Sequence, residues 1–294
     1  MKSSLGKLFV IIVCMTLLNA CVTTPAGTPS SRPAKIAVVL GAGAAKGFAH
    51  IGVLKILEAQ KIPIDMIVGT SAGSFVGSLY AYGYDAYALQ SMALSLEKSD
   101  ITELAIPNNG FIKGERLRDF VNTKVKGLPI EKLKIPFYVV ATDIKSGEEV
   151  VFNSGNTGMA VQASSAVPGV FQPARFSGTS YVDGGVVNPL AVDTAKRYGA
   201  DIVIAVDITS DVDSTVPTST MDTIMKSVEI MYSKISRAAV KQADVVIRPK
   251  VGFIGSADFS LRNQAILEGE KAAWAAMPAI KNIMDKLRQE GRFK

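Results

Sequence analysis

A serine and an aspartate, each set among glycines, are the residues of this chain best suited to hydrolytic chemistry. The serine lies in Gly69-Thr70-Ser71-Ala72-Gly73, between a predicted strand and a predicted helix. A serine on such a sharp turn presents its hydroxyl at the edge of a sheet, and the crowded backbone requires small neighbours. We therefore predict that Ser71 is a nucleophile. A tight packing turn with an inactive serine is the alternative.

The aspartate lies in Asp183-Gly184-Gly185, which follows a predicted strand over Thr179–Val182. A carboxylate held between a strand end and two glycines is either a turn residue or a general base. The tripeptide alone favours the turn interpretation, because aspartate and glycine are both common in turns.

A loop rich in glycine and alanine follows the first predicted strand. A dinucleotide-binding fingerprint would need glycine at position 46, where lysine stands, and the phosphate-loop pattern fails because Phe48 follows Gly47. The loop still supplies backbone N–H groups at the N-terminus of a predicted helix, which suits a developing oxyanion. Its residues are Gly41, Ala42, Gly43, Ala44, Ala45, Lys46 and Gly47.

The residue types on which other hydrolases and many metal sites depend are scarce. His50 is the only histidine, and the two cysteines, Cys14 and Cys21, lie within the first 21 residues. The body of the chain therefore has no disulfide and no thiol nucleophile, and a Ser-His-Asp triad could use only His50. We predict a structural role for His50 on the first helix, facing away from Ser71. We also predict no metal and no organic cofactor.

The composition limits the class of protein. Of the 294 residues, 48% are hydrophobic and 20% are charged, which excludes intrinsic disorder. The net charge of +6 comes without basic runs or interleaved aromatic residues, so we predict no nucleic-acid partner.

Strand and helix patterns alternate along the chain. Short, continuously apolar runs predict strands that are buried on both faces. Their alternation with helices predicts an α/β fold, with a central parallel or mixed sheet covered by helices, in one domain over residues 35–294. The predicted strands are 36–40, 64–68, 137–142, 149–152, 179–182 and 202–207, and the predicted helices are 47–60, 72–82, 221–238 and 263–289.

The last two predicted helices differ in what their patterns indicate. Apolar residues recur at three- and four-residue spacing in helix 221–238, which predicts a core-facing helix; a membrane-contacting face is the alternative. Helix 263–289 is expected to be interrupted at Pro278. The apolar residues of helix 221–238 are Met221, Ile224, Met225, Val228, Met231, Ile235 and Ala238.

Taken together and in this order, the three motifs resemble those of the patatin-like phospholipase family, in its bacterial branch. The similarity extends from Lys35 to at least Asp207 and includes the segments 163–171 and 181–189. It implies an αβα sandwich with a nucleophile elbow and a Ser-Asp dyad, in which Ser71 is the nucleophile and Asp183 accepts its proton. The flanking residues of that implied site are Gly69, Thr70, Ala72 and Gly73 in the elbow, and Gly184 and Gly185 after the aspartate.

The same resemblance makes the glycine-rich loop an oxyanion hole, with one departure. The family pattern is usually G-G-G-x-[KR]-G, and Ala42 and Ala44 replace two of its glycines here. Because alanine keeps its backbone N–H, the resemblance still implies Gly43 and Ala44 as the donors. A left-handed backbone at either alanine would cost about 1–2 kcal/mol. Lys46 either supports the loop or meets a phosphate head group, and we favour loop support.

The activity that the resemblance implies is hydrolysis of phospholipid or lysophospholipid esters by a serine acyl hydrolase. Two alternatives stay open. One is an esterase that acts on soluble esters, and the other is a catalytically silent lipoprotein that uses the fold for binding in the cell envelope. The presence of both Ser71 and Asp183 argues against the silent protein.

The first twenty residues are predicted to be a signal peptide. Lys2 and Lys7 precede an apolar run over residues 8–18, and no acidic residue occurs before Cys21. Eleven apolar residues are too few to span a bilayer of about 30 Å, but they suit the apolar region of a signal peptide over residues 1–20.

The signal peptide is followed by a predicted lipid attachment site. The sequence Leu-Asn-Ala-Cys at 18–21 resembles the lipobox of bacterial lipoproteins, in which Cys21 would be acylated. Residues 21–34, rich in proline, serine and threonine, would form the lipidated N-terminus and an extended linker. We therefore expect a lipid-anchored protein of the bacterial envelope, and Val22 favours the outer membrane because it is not aspartate.

Overall fold

A mixed sheet with helices on both faces forms the centre of the protein. The computed structural model describes residues 32–104, 110–209 and 216–293, and ten strands lie within them. The strands are β1 Ile36–Leu40, β2 Met66–Thr70, β3 Glu103–Leu104, β4 Ile112–Lys113, β5 Phe137–Asp143, β6 Glu149–Phe152, β7 Ala174–Phe176, β8 Thr179–Asp183, β9 Ile202–Val206 and β10 Val245–Ile247.

The helices connect and cover these strands. Short 3-10 turns occur at Ala44–Gly47, Ile130–Lys132 and Gly184–Val186. The described helices are α1 Phe48–Ala59, α2 Ala72–Tyr82, α3 Ala86–Ser95, α4 Lys98–Ile101, α5 Glu115–Lys124, α6 Thr157–Ser164, α7 Val192–Arg197, α8 Thr220–Val240 and α9 Arg262–Gln289.

Eight of these strands form one sheet in the order β10-β9-β1-β2-β5-β8-β7, with β6 also paired to β5. The strands from β10 to β5 are parallel, whereas β6 and β8 run antiparallel to β5. Strands β3 and β4 form a separate antiparallel pair. The predicted fold class, an α/β protein with a mixed sheet covered by helices, is confirmed.

The central strands are buried because they are apolar along their whole length. Strands β1 and β2 read IAVVL and MIVGT, and every residue of both is buried. On one face Val38 and Ile67 join the core formed with α1, α2 and α9, and on the other Val39 and Val68 pack with residues of α7. The parallel strands bring their carboxyl ends to one edge of the sheet, where ligands of such folds usually bind.

The predicted second strand, 64–68, is placed two residues too early, since β2 covers Met66–Thr70. Asp65 instead fastens the start of β2 to β1. Its carboxylate accepts the Ile36 N–H at 2.8 Å, and its own N–H donates to the Ile36 carbonyl at 2.8 Å. Gly69 belongs to the strand although it also begins the serine motif, because the backbone turns only at Ser71.

The predicted interruption at Pro278 is wrong, since α9 continues through this residue. Proline removes one helical hydrogen bond, to the carbonyl of the residue four positions earlier. That residue is Trp274, whose side chain is 51% exposed, so the helix loses the bond on its solvent side.

The predicted core face of α8 is correct only in its first half. Val228 is buried there, whereas Met231, Ile235 and Ala238 are exposed, so the prediction is wrong for the second half. Tyr232 takes a buried position instead. The apolar pattern missed it because a tyrosine hydroxyl is polar, although the ring can fill a core position.

The predicted signal peptide (1–20), Cys21 and most of the predicted linker lie outside the described residues. Among the helices described, none is both long enough and apolar enough to cross a bilayer. The domain boundary at residue 35 stays a prediction.

Two glycines determine how closely α1 packs on α9. A Cβ at Gly52 would lie 1.9 Å from the Ile266 carbonyl oxygen, and one at Gly269 would lie 2.0 Å from the Ala49 carbonyl oxygen. The two helix backbones are therefore in direct contact, which only residues without a side chain allow.

Gly52→Ala should lower the free energy of unfolding by about 1–3 kcal/mol, because the two helices must separate to admit a methyl group. Urea unfolding measures the effect. Gly255→Ala is the matched control, because its Cβ would lie 3.7 Å from the nearest Asp258 atom and meet ordinary packing. Equal stability of Gly52→Ala and the wild type would contradict the close crossing.

Candidate active site

Ser71 lies on a strained turn between β2 and α2. It is 5% exposed, with a backbone at φ 54° and ψ −121°. A Cβ at Gly73 would lie 1.9 Å from the Leu40 carbonyl oxygen, and one at Gly69 would lie 2.6 Å from the Ser74 Cα. The turn therefore requires glycine on both sides, and its strain is located at the residue that carries the hydroxyl.

Strand register brings Asp183 next to Ser71. Thr70 pairs with Val140 of β5, and the next residue of β5, Ala141, pairs with Asp183 on the same edge, because β6 lies along the opposite edge. The Ser71 hydroxyl donates a hydrogen bond to Asp183 Oδ2 at 2.5 Å. The elbow and the aspartate motif, 112 residues apart in sequence, thus meet end to end along one edge of β5.

Asp183 is fully buried, and backbone contacts fix its position. Its Oδ1 accepts the Gly185 N–H at 2.7 Å, and its backbone carbonyl accepts the Thr142 hydroxyl at 2.9 Å. A Cβ at Gly184 would lie 2.2 Å from the Val140 carbonyl oxygen. The glycine after the aspartate therefore lets this turn lie directly against β5.

Burial raises the pKa of Asp183 from 3.8 to about 6. The hydrogen bonds from Ser71 and Gly185 and the nearby Tyr232 hydroxyl act in the opposite direction, because they stabilise the carboxylate. Asp183 is therefore charged at neutral pH but easier to protonate than an exposed aspartate. Such a pKa suits a group that must take a proton and return it.

Ser164 supports the elbow, and the sequence analysis missed it. Its Oγ accepts the Ser71 N–H at 2.8 Å and donates to the Val140 carbonyl at 2.6 Å. The sequence signal is its place in the segment 163–171, which by itself assigns no role to an individual serine.

The loop over residues 41–47 leaves two amides available. The N–H groups of Gly43 and Ala44 have no hydrogen-bond acceptor within the described residues. Ala44 has φ +50°, a left-handed conformation that costs an alanine about 1–2 kcal/mol. Four other amides of the loop donate within the fold, from Gly41 to Val206, from Ala42 to Pro189, from Ala45 to Ser256 and from Lys46 to Gly43.

Two side chains fasten this loop to the rest of the protein. Lys46 is buried and forms an ion pair with Glu229 of α8. His50 donates from Nε2 to the Gly41 carbonyl at 2.8 Å. The structure thus places Lys46 in a contact that supports the loop.

His50 is fully buried on α1 and does not contact the nucleophile. Burial lowers its pKa to about 4, so the ring is neutral at physiological pH. Its Nδ1 has no partner in the described part of the chain, and its Nε2 is occupied by Gly41 rather than by Ser71. This geometry fits packing and loop support better than general-base chemistry.

An apolar cavity of about 360 Å³ opens beside Ser71. One wall is the face of α2 formed by Ala72, Phe75, Val76 and Leu79, which recur at helical spacing. Its volume is that of a ligand pocket, and its lining suits an acyl chain. Other apolar lining residues are Phe48, Leu89, Ala93, Leu117, Phe120 and Met225.

No metal-binding cluster of three or more His, Cys, Asp or Glu occurs in residues 32–104, 110–209 and 216–293.

Comparison with known proteins identifies the family to which this site belongs. The family model for patatin-like phospholipases matches residues 38–196, a span that contains the loop, the elbow and Asp183. The chain therefore belongs to the patatin-like phospholipase family, and the resemblance predicted from its motifs is confirmed. The family is one of lipid acyl hydrolases.

Individual relatives cover different parts of the chain. An uncharacterized NTE family protein of Mycobacterium tuberculosis is 38% identical over 183 residues, which is 61% of this chain and 50% of that protein. Lysophospholipase NTE1 of Pyricularia oryzae is 27% identical over 289 residues, covering 87% of this chain and 19% of that protein. The chain thus spans half or less of the length of these relatives.

The solved structure of VipD from Legionella pneumophila shares the fold. It superposes with a TM-score of 0.60 at 13% sequence identity, over 85% of this chain and 67% of that chain.

Replacing the buried charge of Asp183 should stabilise the protein. Because one pKa unit is worth about 1.4 kcal/mol, a pKa raised from 3.8 to about 6 means that the charged carboxylate destabilises the fold by up to ~3 kcal/mol at neutral pH. Asp183→Asn should therefore be more stable than the wild type above pH 6. The difference should shrink toward pH 4, where the carboxyl becomes protonated in both folded and unfolded chains. Thermal melting between pH 4 and pH 8 measures it.

Asp143→Asn is the control for this comparison. Asp143 ends β5, and its carboxylate accepts only the nearby Lys145 N–H, at 2.8 Å, in the described structure. Its replacement should give no gain that grows with pH. An Asp183→Asn variant less stable than the wild type at every pH would contradict the prediction.

Proposed function

We propose that this protein is a serine acyl hydrolase that cleaves lipid esters, with Ser71 as nucleophile and Asp183 as general base. The observation that carries the proposal is the 2.5 Å hydrogen bond from Ser71 Oγ to Asp183 Oδ2, beside an apolar cavity. A silent binding protein would have no use for a buried carboxylate held against a strained serine, since both features destabilise the fold.

In the first half-reaction, Ser71 Oγ attacks the carbonyl carbon of the ester while its proton passes to Asp183 Oδ2. The tetrahedral intermediate then collapses as the bond to the alcohol oxygen breaks, and Asp183 gives the proton to that oxygen. The alcohol leaves, and the acyl group stays on Ser71 as an ester. Water attacks this acyl-enzyme in the second half-reaction and releases the carboxylic acid.

The N–H groups of Gly43 and Ala44 would stabilise the negative charge on the carbonyl oxygen of the intermediate. Both amides lack an acceptor among the described residues, at the start of the 3-10 turn Ala44–Gly47. The loss of one such donor in an acyl hydrolase lowers kcat by roughly 10²–10³. Alanine at position 44 retains this donor, so the departure from the family pattern is compatible with activity.

The substrate class that the cavity favours is an ester with a long acyl chain. Burying a methylene group contributes about 0.8 kcal/mol, so an apolar cavity of about 360 Å³ selects long chains over short, soluble esters. The relative from Pyricularia oryzae is named a lysophospholipase, which supports a phospholipid or lysophospholipid substrate. An esterase acting on soluble esters is the second candidate.

The predicted N-terminal segments extend this proposal to the cell envelope. We propose that the signal peptide (1–20) is removed and that an acylated Cys21 and the linker (21–34) tether the hydrolase domain (35–294) to a membrane, with the outer membrane favoured. The support is the lipobox-like sequence at 18–21. Two or more acyl chains on one cysteine would anchor the protein stably. Mass spectrometry of the mature N-terminus tests this, and an unmodified Cys21 would exclude it.

Ser71→Ala should abolish both the release of fatty acid from lysophospholipid vesicles and covalent labelling by a fluorophosphonate, because each needs the Ser71 hydroxyl. Product mass spectrometry and labelling of the purified protein measure the two effects. The matched control is Ser78→Ala, which removes a buried hydroxyl from α2. The Ser78 hydroxyl donates to the Phe75 carbonyl at 2.8 Å. If folded Ser71→Ala keeps a tenth of the activity, another serine is the nucleophile; Ser165, which also lines the cavity, would be examined first.

The pH profile should report an aspartate base. The kcat/KM should fall as the pH drops below about 6, because protonated Asp183 cannot accept the Ser71 proton. His50→Gln should keep most of the turnover and the same acid limb, since glutamine can still donate to Gly41. Asp183→Asn should lose orders of magnitude. An inactive but folded His50→Gln together with an active Asp183→Asn would overturn the aspartate mechanism.

A further inference from the structure

A second and much smaller cavity also borders Ser71. Its volume is about 30 Å³, and its lining includes Tyr232 of α8 together with the potential oxyanion residues Gly43 and Ala44. This space is too small for an acyl chain or a lipid head group. It exceeds the roughly 10–15 Å³ that one water molecule needs. Its lining is mostly apolar but includes the polar residues Thr209, Tyr232 and Ser256.

Tyr232 is a buried residue whose polar end has no evident structural use. It is 4% exposed, and its hydroxyl has no hydrogen-bond partner within the described residues. Its ring packs on Gly185, the second glycine of the aspartate motif, since a Cβ there would lie 2.4 Å from Tyr232 Cζ. An unpaired buried hydroxyl destabilises a fold, and phenylalanine would fill the same space without that penalty.

The Tyr232 hydroxyl adjoins Asp183 without bonding to it directly. Burial, and secondly the charge of Asp183, raise the pKa of Tyr232 well above its usual range, while the hydroxyl in turn lowers the pKa of Asp183. Tyr232 therefore stays a neutral phenol. It can donate or accept a hydrogen bond, but it does not ionise at physiological pH.

We propose that Tyr232 holds the water that hydrolyses the acyl-enzyme at the small cavity beside Ser71. Asp183 does not line this cavity; it lies behind Ser71 and accepts the proton of that water once Ser71 is acylated. This inference rests on the proposed function, because it requires an acyl group on Ser71. Once acylated, Ser71 Oγ has no hydrogen left to donate, so Asp183 Oδ2 can accept one from another group. A water that donates one hydrogen to Asp183 and the other to the Tyr232 oxygen directs a lone pair toward the acyl carbon.

The hydrolytic step balances with these groups alone. The water oxygen forms a bond to the acyl carbon while Asp183 takes one of its protons. The tetrahedral intermediate collapses as the bond from carbon to Ser71 Oγ breaks, and the proton on Asp183 returns to Oγ. The carboxylic acid leaves, and Tyr232 retains its own proton throughout.

The position of Tyr232 explains why the family motifs do not reveal it. It lies on α8, outside the family match over residues 38–196. Glu229, one helical turn earlier, holds the oxyanion loop through its ion pair with Lys46. One face of α8 thus contacts both the loop and the aspartate, so this helix can complete the site for the second half-reaction.

Competition between water and methanol for the acyl-enzyme tests the proposal. Both products arise from one intermediate, so their ratio does not depend on which step limits turnover. Methanol has one hydroxyl hydrogen and cannot donate to both Asp183 and Tyr232, so loss of the Tyr232 oxygen should impair water selectively. With a long-chain nitrophenyl ester in aqueous methanol, Tyr232→Phe should lower the ratio of fatty acid to methyl ester about fivefold or more, the effect of losing one hydrogen bond.

Two further measurements separate this role from a structural one. Tyr232→Phe should melt close to the wild type, because the hydroxyl it removes makes no direct hydrogen bond in the described structure. It should also keep near wild-type fluorophosphonate labelling, which needs only acylation. Tyr80→Phe is the matched control, since Tyr80 is also buried, on α2, and does not line either cavity. Its product ratio should equal that of the wild type.

The remaining outcomes count against the proposal or against its basis. An unchanged ratio in folded Tyr232→Phe overturns it, as does a loss of labelling with no change in the ratio, which would mean that Tyr232 acts in acylation. A large loss of stability would show a structural partner for the hydroxyl and would also overturn it. A wild-type protein that yields neither product nor labelling refutes the serine hydrolase function itself.

Discussion

The hydrogen bond between Ser71 and Asp183 requires a charged carboxylate inside the sheet, and most of the local structure follows from that requirement. The groups that contact this carboxylate are neutral: the Ser71 hydroxyl, the Gly185 amide and, nearby, the Tyr232 hydroxyl. An arginine or lysine there would stabilise the charge more strongly, but it would also depress the pKa and weaken the aspartate as a base. With only neutral donors beside it, Asp183 keeps a pKa of about 6. Burial of the carboxylate is therefore the cause both of the cost of its charge to the fold and of its strength as a base.

The close contact also accounts for the glycines around the site. The hydroxyl can reach Asp183 only if the elbow lies against β1 and the aspartate turn lies against β5, and in both places two backbones touch. The Cβ atoms that Gly73 and Gly184 lack would fall within 2.2 Å of carbonyl oxygens of Leu40 and Val140. Such distances exclude any side chain, so these motif glycines reflect steric limits at the site rather than flexibility.

Sequence patterns predicted the parts of the molecule that depend on a single physical requirement, such as burial on both faces of a strand or a sharp turn at a serine. The continuously apolar strands gave the sheet, and the elbow motif located the strained serine, because few residue types satisfy either demand. The pairing of Ser71 with Asp183 could be inferred only from family resemblance, since it depends on register between β2, β5 and β8. Patterns failed where polar residues occupy buried positions: Ser164 and Tyr232 are both buried, yet hydropathy treats them as surface. The predicted helix interruption at Pro278 was wrong because the hydrogen bond that proline removes lies on the solvent side of α9, where a long helix tolerates its loss.

The two cavities that meet at Ser71 differ mainly in size, since apolar atoms line most of both. The larger is walled by apolar side chains of α2 and α3, from which water gains no hydrogen bonds, whereas the smaller is bordered by Tyr232, Gly43 and Ala44. An acyl chain entering the larger cavity would therefore displace poorly held water, while water in the smaller one would keep polar partners. Acylation needs a dry path for the chain, and deacylation needs a water close to the same carbon atom. In the proposed mechanism, a serine at the junction of a large space for the chain and a small one for the water would meet both needs without a moving part, because each half-reaction would use a different side of one fixed residue.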